Sequence, residues 1–140
     1  MTWLPLALAS ATLWGFNYSF GERLIRSAGV PALLVSNTIG AALFIILYLL
    51  AKGSIRPLLA SVNAKDLALM LFCAGTSAGA IISVQTAISQ KNATSAGLVE
   101  MTYPLFTAAI AYAVFGEAQL TARAIIGAGL IIAGVLFISK

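Results

Sequence analysis

Hydrophobic and polar positions in this 140-residue chain are grouped on the scale of whole helices. Five long apolar segments are separated by short polar connections. We number them segments 1 to 5, and they run over about residues 4–20, 32–51, 67–88, 93–115 and 122–138. A transmembrane helix needs about 20 mainly apolar residues, so each segment is long enough to span a bilayer. The pattern predicts an all-α membrane protein with five transmembrane helices.

The connections between the segments are short and carry turn residues, and none of them resembles a second, soluble domain. Inside a bilayer every backbone polar group must be paired internally, so five helices packed as one bundle are the expected fold. We therefore predict a single transmembrane domain over residues 1–140. The start of the chain has no basic residue and further apolar segments follow, so we expect segment 1 to remain in the mature protein. Thr121 is expected to cap segment 5.

Lysines and arginines divide evenly between the two ends of the predicted helices. The side of the N-terminus holds Lys52, Arg56, Lys65 and Arg123, and the opposite side holds Arg23, Arg26, Lys91 and Lys140. Orientation is set mainly by an excess of Lys and Arg in cytoplasmic loops, so this equal division predicts dual topology. An inverted second copy would complete a ten-helix assembly with inverted repeats, which is a common transporter plan. We therefore expect an antiparallel homodimer, with this chain as one half.

The composition supports the membrane assignment and excludes several other classes. Hydrophobic residues make up 61% of the chain, charged residues 9%, and the mean hydropathy is +1.01, all far from the values of soluble globular proteins. The net charge is +4, but the cations are scattered over short loops, so nucleic acid is not an expected partner. The chain has no histidine, and its four acids lie in separate segments. We therefore predict no enzyme activity, no metal site and no cofactor.

Helical periodicity places small and polar residues on one face of segments 1, 3 and 4. The larger members of these faces are Trp14, Asn17 and Tyr18 in segment 1, Ser83 in segment 3, and Glu100, Tyr103 and Thr107 in segment 4. Close helix packing alone would explain small residues and hydroxyls. A shared polar cavity is favoured because Asn17, Glu100 and Tyr103 are larger than packing requires. The aromatic rings could hold an organic cation against their faces.

Segment 5 differs from the others, because its small-residue face has no polar side chain. That face carries Gly127, Gly129 and Gly134. Small residues let transmembrane backbones approach each other closely. We predict that segment 5 acts as a scaffold or as a dimer contact.

Glu100 is the acid that falls well inside an apolar segment, about 10 Å from the start of segment 4. A charged residue at a helix centre costs about 2.5–3.5 kcal/mol, so such acids usually pair, face water, or bind protons and cations. Pro104 lacks the amide that would bond to the Glu100 carbonyl, and it therefore predicts a kink beside the acid. We predict that Glu100 exchanges a proton for a cationic substrate. A structural ion pair, or a place near the interface, is the alternative.

Two stretches of the chain resemble a known family. Leu13-Trp14-Gly15-Phe16-Asn17 resembles the Trp-Gly-x-Asn signature of EamA-type members of the drug/metabolite transporter superfamily. A second stretch resembles the second half of the same domain. It contains Tyr103-Pro104-Leu105-Phe106-Thr107, then Phe115-Gly116-Glu117, and the glycine-rich residues 127–135. The resemblance covers the whole chain as one five-helix unit and implies a transporter fold. The usual members carry two such units, inverted, in one polypeptide, so this chain is expected to supply one half.

Segment 5 is also similar to the dimerising fourth helix of the small multidrug resistance proteins. Those proteins act as antiparallel dimers and export cations against protons, with an essential glutamate in their first helix. Segment 1 of this chain has Asn17 and no acid before Glu22. The resemblance therefore implies a transporter whose acid has moved to Glu100. It implies no particular substrate, because the superfamily handles drugs, amino acids, nucleotide sugars and other metabolites.

Three hypotheses about function follow from these predictions. The first is a secondary active transporter of small organic solutes that couples export of a cation or metabolite to protons. The second is a passive channel formed by the same antiparallel dimer. The third is a non-transporting subunit of a larger membrane complex, although the equal charge division argues against a fixed partner. The expected partners are the lipid bilayer, an inverted second copy and a small-molecule substrate. The expected location is the inner membrane of a bacterial or archaeal cell.

Overall fold

The computed structural model describes residues 3–118 and 121–138, without the side chains of Trp3 and Arg123. Lys140 and the Arg123 side chain, which entered the charge division, lie outside this description. The regular structure in the described part is helical, which confirms the all-α prediction. Its elements are α1 (Trp3–Ala51), α2 (Ile55–Ser61), α3 (Ala64–Gln90), α4 (Ala93–Glu100), α5 (Tyr103–Phe115) and α6 (Ala122–Ile138). They form two compact units, residues 1–90 and 91–140, and we describe each by itself.

Three helical stretches in the described residues are long and apolar enough to cross a membrane. They are Leu4–Ala51, Ala64–Gln90 and Ala93–Phe115, and the apolar stretch Ala124–Ile138 is shorter. Large apolar side chains along them are exposed, as at Phe44 and Leu69. Surface of this kind is suited to contact with lipid tails rather than water. The number of five membrane-spanning helices stays a prediction.

Helix α1 is interrupted at Gly29, which has φ 83° and ψ 168°. This region of backbone conformation is open essentially to glycine alone. Pro31 follows two residues later, where its fixed φ and missing N–H suit the first turn of a new helix. The sequence predicts two segments here, with a connection over residues 21–31. The first arm instead continues to residue 28, and within it Glu22 accepts a hydrogen bond from Arg26 one turn later, a pair that adds modestly to helix stability.

The two arms of α1, residues 3–28 and 30–51, fold back on each other as a hairpin. A methyl group added at Gly21 would lie 2.8 Å from Leu33 Cδ2, so the arms meet closely at this level. One turn further from the bend, Asn17 Nδ2 donates to Asn37 Oδ1 at 2.9 Å. The two contacts share one antiparallel register. Ile25 and Leu33 are buried beside the bend.

The rest of the first unit is α2 and α3. The connection after Lys52 was expected to be a loop, but Ile55–Ser61 forms the short helix α2. Asn63 begins α3, since its Oδ1 accepts from the N–H groups of Lys65 and Asp66 at 2.9 and 3.0 Å. This is the side-chain cap that satisfies free N–H groups at a helix start. Helix α3 then packs against α1.

The second unit contains α4, α5 and α6. Asn92 caps α4 by accepting from the Ser95 N–H at 2.7 Å. Helix α5 ends at Gly116, whose φ of 70° is left-handed, the usual backbone for a residue just after a helix. The Ala124 N–H donates to Thr121 Oγ1 at 3.2 Å, which confirms the predicted cap of the last helix. Helix α4 contacts α6.

Candidate functional site

The predicted site residues divide between the two units. The first unit holds Trp14, Asn17, Tyr18 and Ser83. The second unit holds Glu100, Tyr103, Pro104 and Thr107, together with the three glycines of α6. Each group is therefore considered within its own unit. Two further residues of the first unit, which the sequence reasoning missed, prove equally relevant.

Trp14 and Tyr18 lie one turn apart on the first arm of α1 and form an aromatic pair. Their ring centroids are 5.4 Å apart and their planes meet at 57°. This tilted geometry is in the favourable range for aromatic contacts. Tyr18 is half-buried, whereas 46% of Trp14 is exposed. The pair therefore offers one accessible ring next to Asn17.

Asn17 is occupied by a helix-to-helix hydrogen bond across the hairpin. Its amide nitrogen donates to Asn37, which the sequence reasoning passed over. The side-chain oxygen of Asn17, Oδ1, is buried and has no hydrogen-bond partner among the residues that the structure describes. Asn37 could have been found from sequence, because a carboxamide within an apolar segment needs a partner. Asn17 thus stabilises the hairpin through its Nδ2 group, while its Oδ1 atom can still accept a hydrogen bond.

Gln85 of α3 is the second missed residue, and it is fully buried. It is 0% exposed, and neither its oxygen nor its nitrogen has a hydrogen-bond partner in the described part of the chain. Gln85 and Ile88, one turn apart, are the buried residues of α3, and α3 packs against α1. Burying an unpaired amide costs about 1–3 kcal/mol. Native structures contain few such groups, so the unpaired Gln85 amide needs an explanation.

Hydroxyl groups on the predicted polar faces donate to their own helices. Ser83 Oγ donates to the Gly79 carbonyl at 2.8 Å, and Thr107 Oγ1 donates to the Tyr103 carbonyl at 3.1 Å. Back-bonding of this kind lets Ser and Thr sit in an apolar helix without a partner elsewhere. Their oxygens can still accept a hydrogen bond, but their protons are already used. The carboxamides are therefore the better candidates for recognition of a solute.

Glu100 is the last residue of α4, at the point where segment 4 is broken. Met101 and Thr102 form a turn between α4 and α5, and the Thr102 N–H donates to the Val99 carbonyl at 3.1 Å. Pro104 stands in the first turn of α5, where its missing N–H is tolerated. Glu100 is half-buried, and Tyr103 is 65% exposed. A helix C-terminus carries partial negative charge, so the end of α4 and the carboxyl together favour a cation.

The glycines of α6 leave its surface open. A methyl group added at Gly127, Gly129 or Gly134 would meet no described atom within 4 Å. Gly127 and Gly134 are seven residues apart and share one side of α6, whereas Gly129 lies on the other side. A scaffold or dimer contact at this helix stays a prediction. Among the described residues, no group of three or more Cys, Asp or Glu side chains is placed to hold a metal ion.

Comparison with known families adds an independent observation. The model of the EamA-like transporter family matches residues 1–140. The chain belongs to the EamA-like transporter family. No curated protein and no solved structure gives a significant match.

Membership in the EamA-like family confirms the resemblance drawn from the Trp14 and Pro104 motifs. Together with the long apolar helices, it makes the chain an integral multi-pass membrane protein. EamA-like proteins are membrane transporters of the drug/metabolite type rather than enzymes. The similarity of the last helix to the small multidrug resistance proteins stays a prediction.

Proposed function

We propose that this EamA-like chain is a secondary active transporter that exports a small organic cation or metabolite in exchange for protons. It works as an antiparallel homodimer of five-helix units, in which two copies of Glu100 face one cavity. The two helix bundles rock about this cavity to expose it to each side in turn. The observation that carries the proposal is Glu100, an acid within an apolar span at a helix break.

The position of Glu100 supports a role in proton exchange. Acids inside membranes are rare and mark proton or cation pathways. Broken helices in transporters bring helix ends to the binding site, where C-terminal ends attract cations. Glu100 combines both features, because it ends α4 immediately before the Met101–Thr102 turn. A neutral Gln at this position would keep the shape and remove the exchangeable proton.

The even division of basic residues supports the dual topology. Arg23 and Arg26 lie on the first arm shortly before the bend of the hairpin. At the other end of the second arm, Lys52 precedes α2, Arg56 lies within it and Lys65 follows it. With Lys91 and the residues outside the description, neither side has an excess that would fix the orientation. Both insertions would then occur and allow an antiparallel pair. Gly127, Gly129 and Gly134 would supply a close contact between copies.

Proton flux in vesicles tests the coupling. Purified protein is placed in vesicles loaded with a pH-sensitive dye, and tetraethylammonium or benzamide is added outside. We expect inward movement of an accepted probe to drive protons outward. Glu100→Gln should reduce this proton flux to that of protein-free vesicles, whereas the matched control Glu117→Gln should retain it. Probe movement without proton movement in the unmodified chain would favour the passive channel. Unchanged proton flux in Glu100→Gln would exclude a role of Glu100 in proton exchange.

Labelling of single cysteines tests the topology. Ser27→Cys and Ser54→Cys are made separately in a Cys73→Ser background, and whole cells are treated with an impermeant maleimide. Ser27 lies shortly before the second arm of α1, and Ser54 lies shortly after it. Dual topology predicts comparable labelling of both. Labelling of one position alone would show a fixed orientation and contradict the antiparallel homodimer.

A further inference from the structure

The buried Gln85 carboxamide has no role in the proposed proton exchange. It lies in the first unit, is 0% exposed, and both of its amide atoms are without hydrogen bonds in the described residues. The Asn17 carbonyl oxygen, also in this unit, is buried and unpaired in the same sense. A native structure normally pairs its buried polar atoms. The unpaired carboxamide of Gln85 therefore requires a hydrogen-bonding partner other than the described residues.

We infer that Gln85 is the solute-binding residue of the first unit, and that its solute is a neutral molecule with an adjacent N–H donor and carbonyl acceptor. A carboxamide offers one acceptor and two donors, so its best complement is another amide edge. The inference rests on the proposed transport of a small organic solute. It narrows the solute from a cation or metabolite to a neutral amide.

The absence of buried charge decides against an ionic solute at this site. Gln85 is the buried polar residue of the described chain, and no described acid or base is buried with it. A charged solute would need a counter-charge in such surroundings, because burying an unpaired ion costs far more than burying an amide.

The site must open before a solute can enter. Gln85 has no surface exposed to solvent, and its helix packs on α1. A state in which α3 moves away from α1 would uncover the amide, and a solute that bonds to it would favour that state. The described structure is then the closed form, in which the amide atoms have no partners.

Equilibrium binding of radiolabelled benzamide to the purified full chain tests the inference. Benzamide has the donor and the acceptor, methyl benzoate has only the acceptor, and benzoate is charged. We expect benzamide to bind, and the other two to compete at least about tenfold more weakly, as loss of a buried hydrogen bond implies. Equal competition by methyl benzoate, or no binding of benzamide, would overturn the inference and leave buried water as the occupant.

Gln85→Leu separates a binding role from a structural one. An apolar side chain removes the unpaired atoms, so the melting temperature should rise while benzamide affinity falls at least about tenfold. Gln85→Met, which is unbranched, serves the same purpose if the Leu variant fails to fold. Gln90→Leu is the matched control on the exposed end of α3 and should change neither quantity. Unchanged affinity in a folded Gln85 variant would refute the role.

The binding result and the transport result can be told apart. Benzamide binding that depends on Gln85, without proton movement in vesicles, would uphold this site and reject the proton-coupled function. Proton movement driven by tetraethylammonium, with no benzamide binding, would uphold the transporter and reject this site.

Discussion

Residues 1–90 and residues 91–140 place their polar groups in different ways. In the first unit the notable groups are neutral carboxamides, and two of them, Asn17 and Asn37, bond across a hairpin while Gln85 is buried without a partner. In the second unit the notable group is the carboxyl of Glu100 at a helix break. Neutral amides suit recognition of an uncharged solute, and a carboxyl suits exchange of a proton. If the proposed proton coupling holds, the difference assigns binding of the solute and exchange of the proton to different parts of the chain.

The largest stability effect is expected from the bend of the first unit. Gly29→Ala should lower the free energy of unfolding by about 3 kcal/mol, because its backbone region is open only to glycine. Gly116→Ala in the second unit should cost only about 1 kcal/mol, since left-handed helical backbone is accessible to other residues. Denaturation in mixed detergent micelles measures both. Equal costs would remove the special role of the hairpin bend.

The next largest loss of stability is expected where the two arms of α1 approach each other closely. Gly21→Ala should cost about 1–2 kcal/mol, because the new methyl group meets Leu33 Cδ2 in a packed contact. Leu33→Ala removes that obstacle, so the double variant should lose less stability than the two single losses together. Gly15→Ala is the control, as its methyl group meets no described atom. Strictly additive losses would argue against this contact.

The hydrogen bond of the hairpin is expected to contribute less. Asn37→Leu should cost about 1 kcal/mol, a usual value for a polar contact between membrane helices. Once Asn37 is replaced, Asn17→Leu should have a smaller effect than it has alone, because the partner is already gone. A double-mutant cycle in the same denaturation assay measures the coupling. Zero coupling would mean that the two amides do not interact in the membrane.

The smallest effect is expected from the cap in the second unit. Thr121→Ala should cost about 0.5–1 kcal/mol by leaving the Ala124 N–H without its acceptor. Thr107→Ala should be close to neutral, because its hydroxyl only donates to its own helix. Comparing the two losses in free energy of unfolding shows whether a hydroxyl stabilises the protein more at the start of a helix than along its face. A larger loss for Thr107→Ala would indicate that its hydroxyl has a further role.

Much of the fold follows from the spacing of apolar residues. The helical class was predicted, and the start of the last helix agrees with the structure because Thr121 caps it. The extension of the first arm past Phe20 was missed, because the apolar segment ends where Glu22 and Arg23 begin a polar stretch, although Glu22 pairs with Arg26 within the helix. The short α2 was missed since seven residues are too few for a periodic pattern to stand out.

The candidate site was predicted only in part. Glu100 stood out because a charge in an apolar segment is conspicuous, and Pro104 beside it pointed to the break. Asn37 and Gln85 were overlooked because each has polar neighbours, Ser36 and Thr38 around the first and Thr86 beside the second. The sequence does not show which residue of such a group is buried. Their burial depends on how α3 and the hairpin pack, which is a tertiary property. Carboxamides within apolar segments would have been the signal to follow.

The division of tasks between the two units is tested most directly by binding of benzamide to Glu100→Gln. If the first unit holds the solute and the second holds the proton, this variant binds benzamide with the affinity of the unmodified chain although it moves no protons. If benzamide affinity is lost together with proton flux while the protein remains folded, Glu100 contacts the solute itself. Solute and proton would then share one site, and the division of tasks between the two units would be wrong.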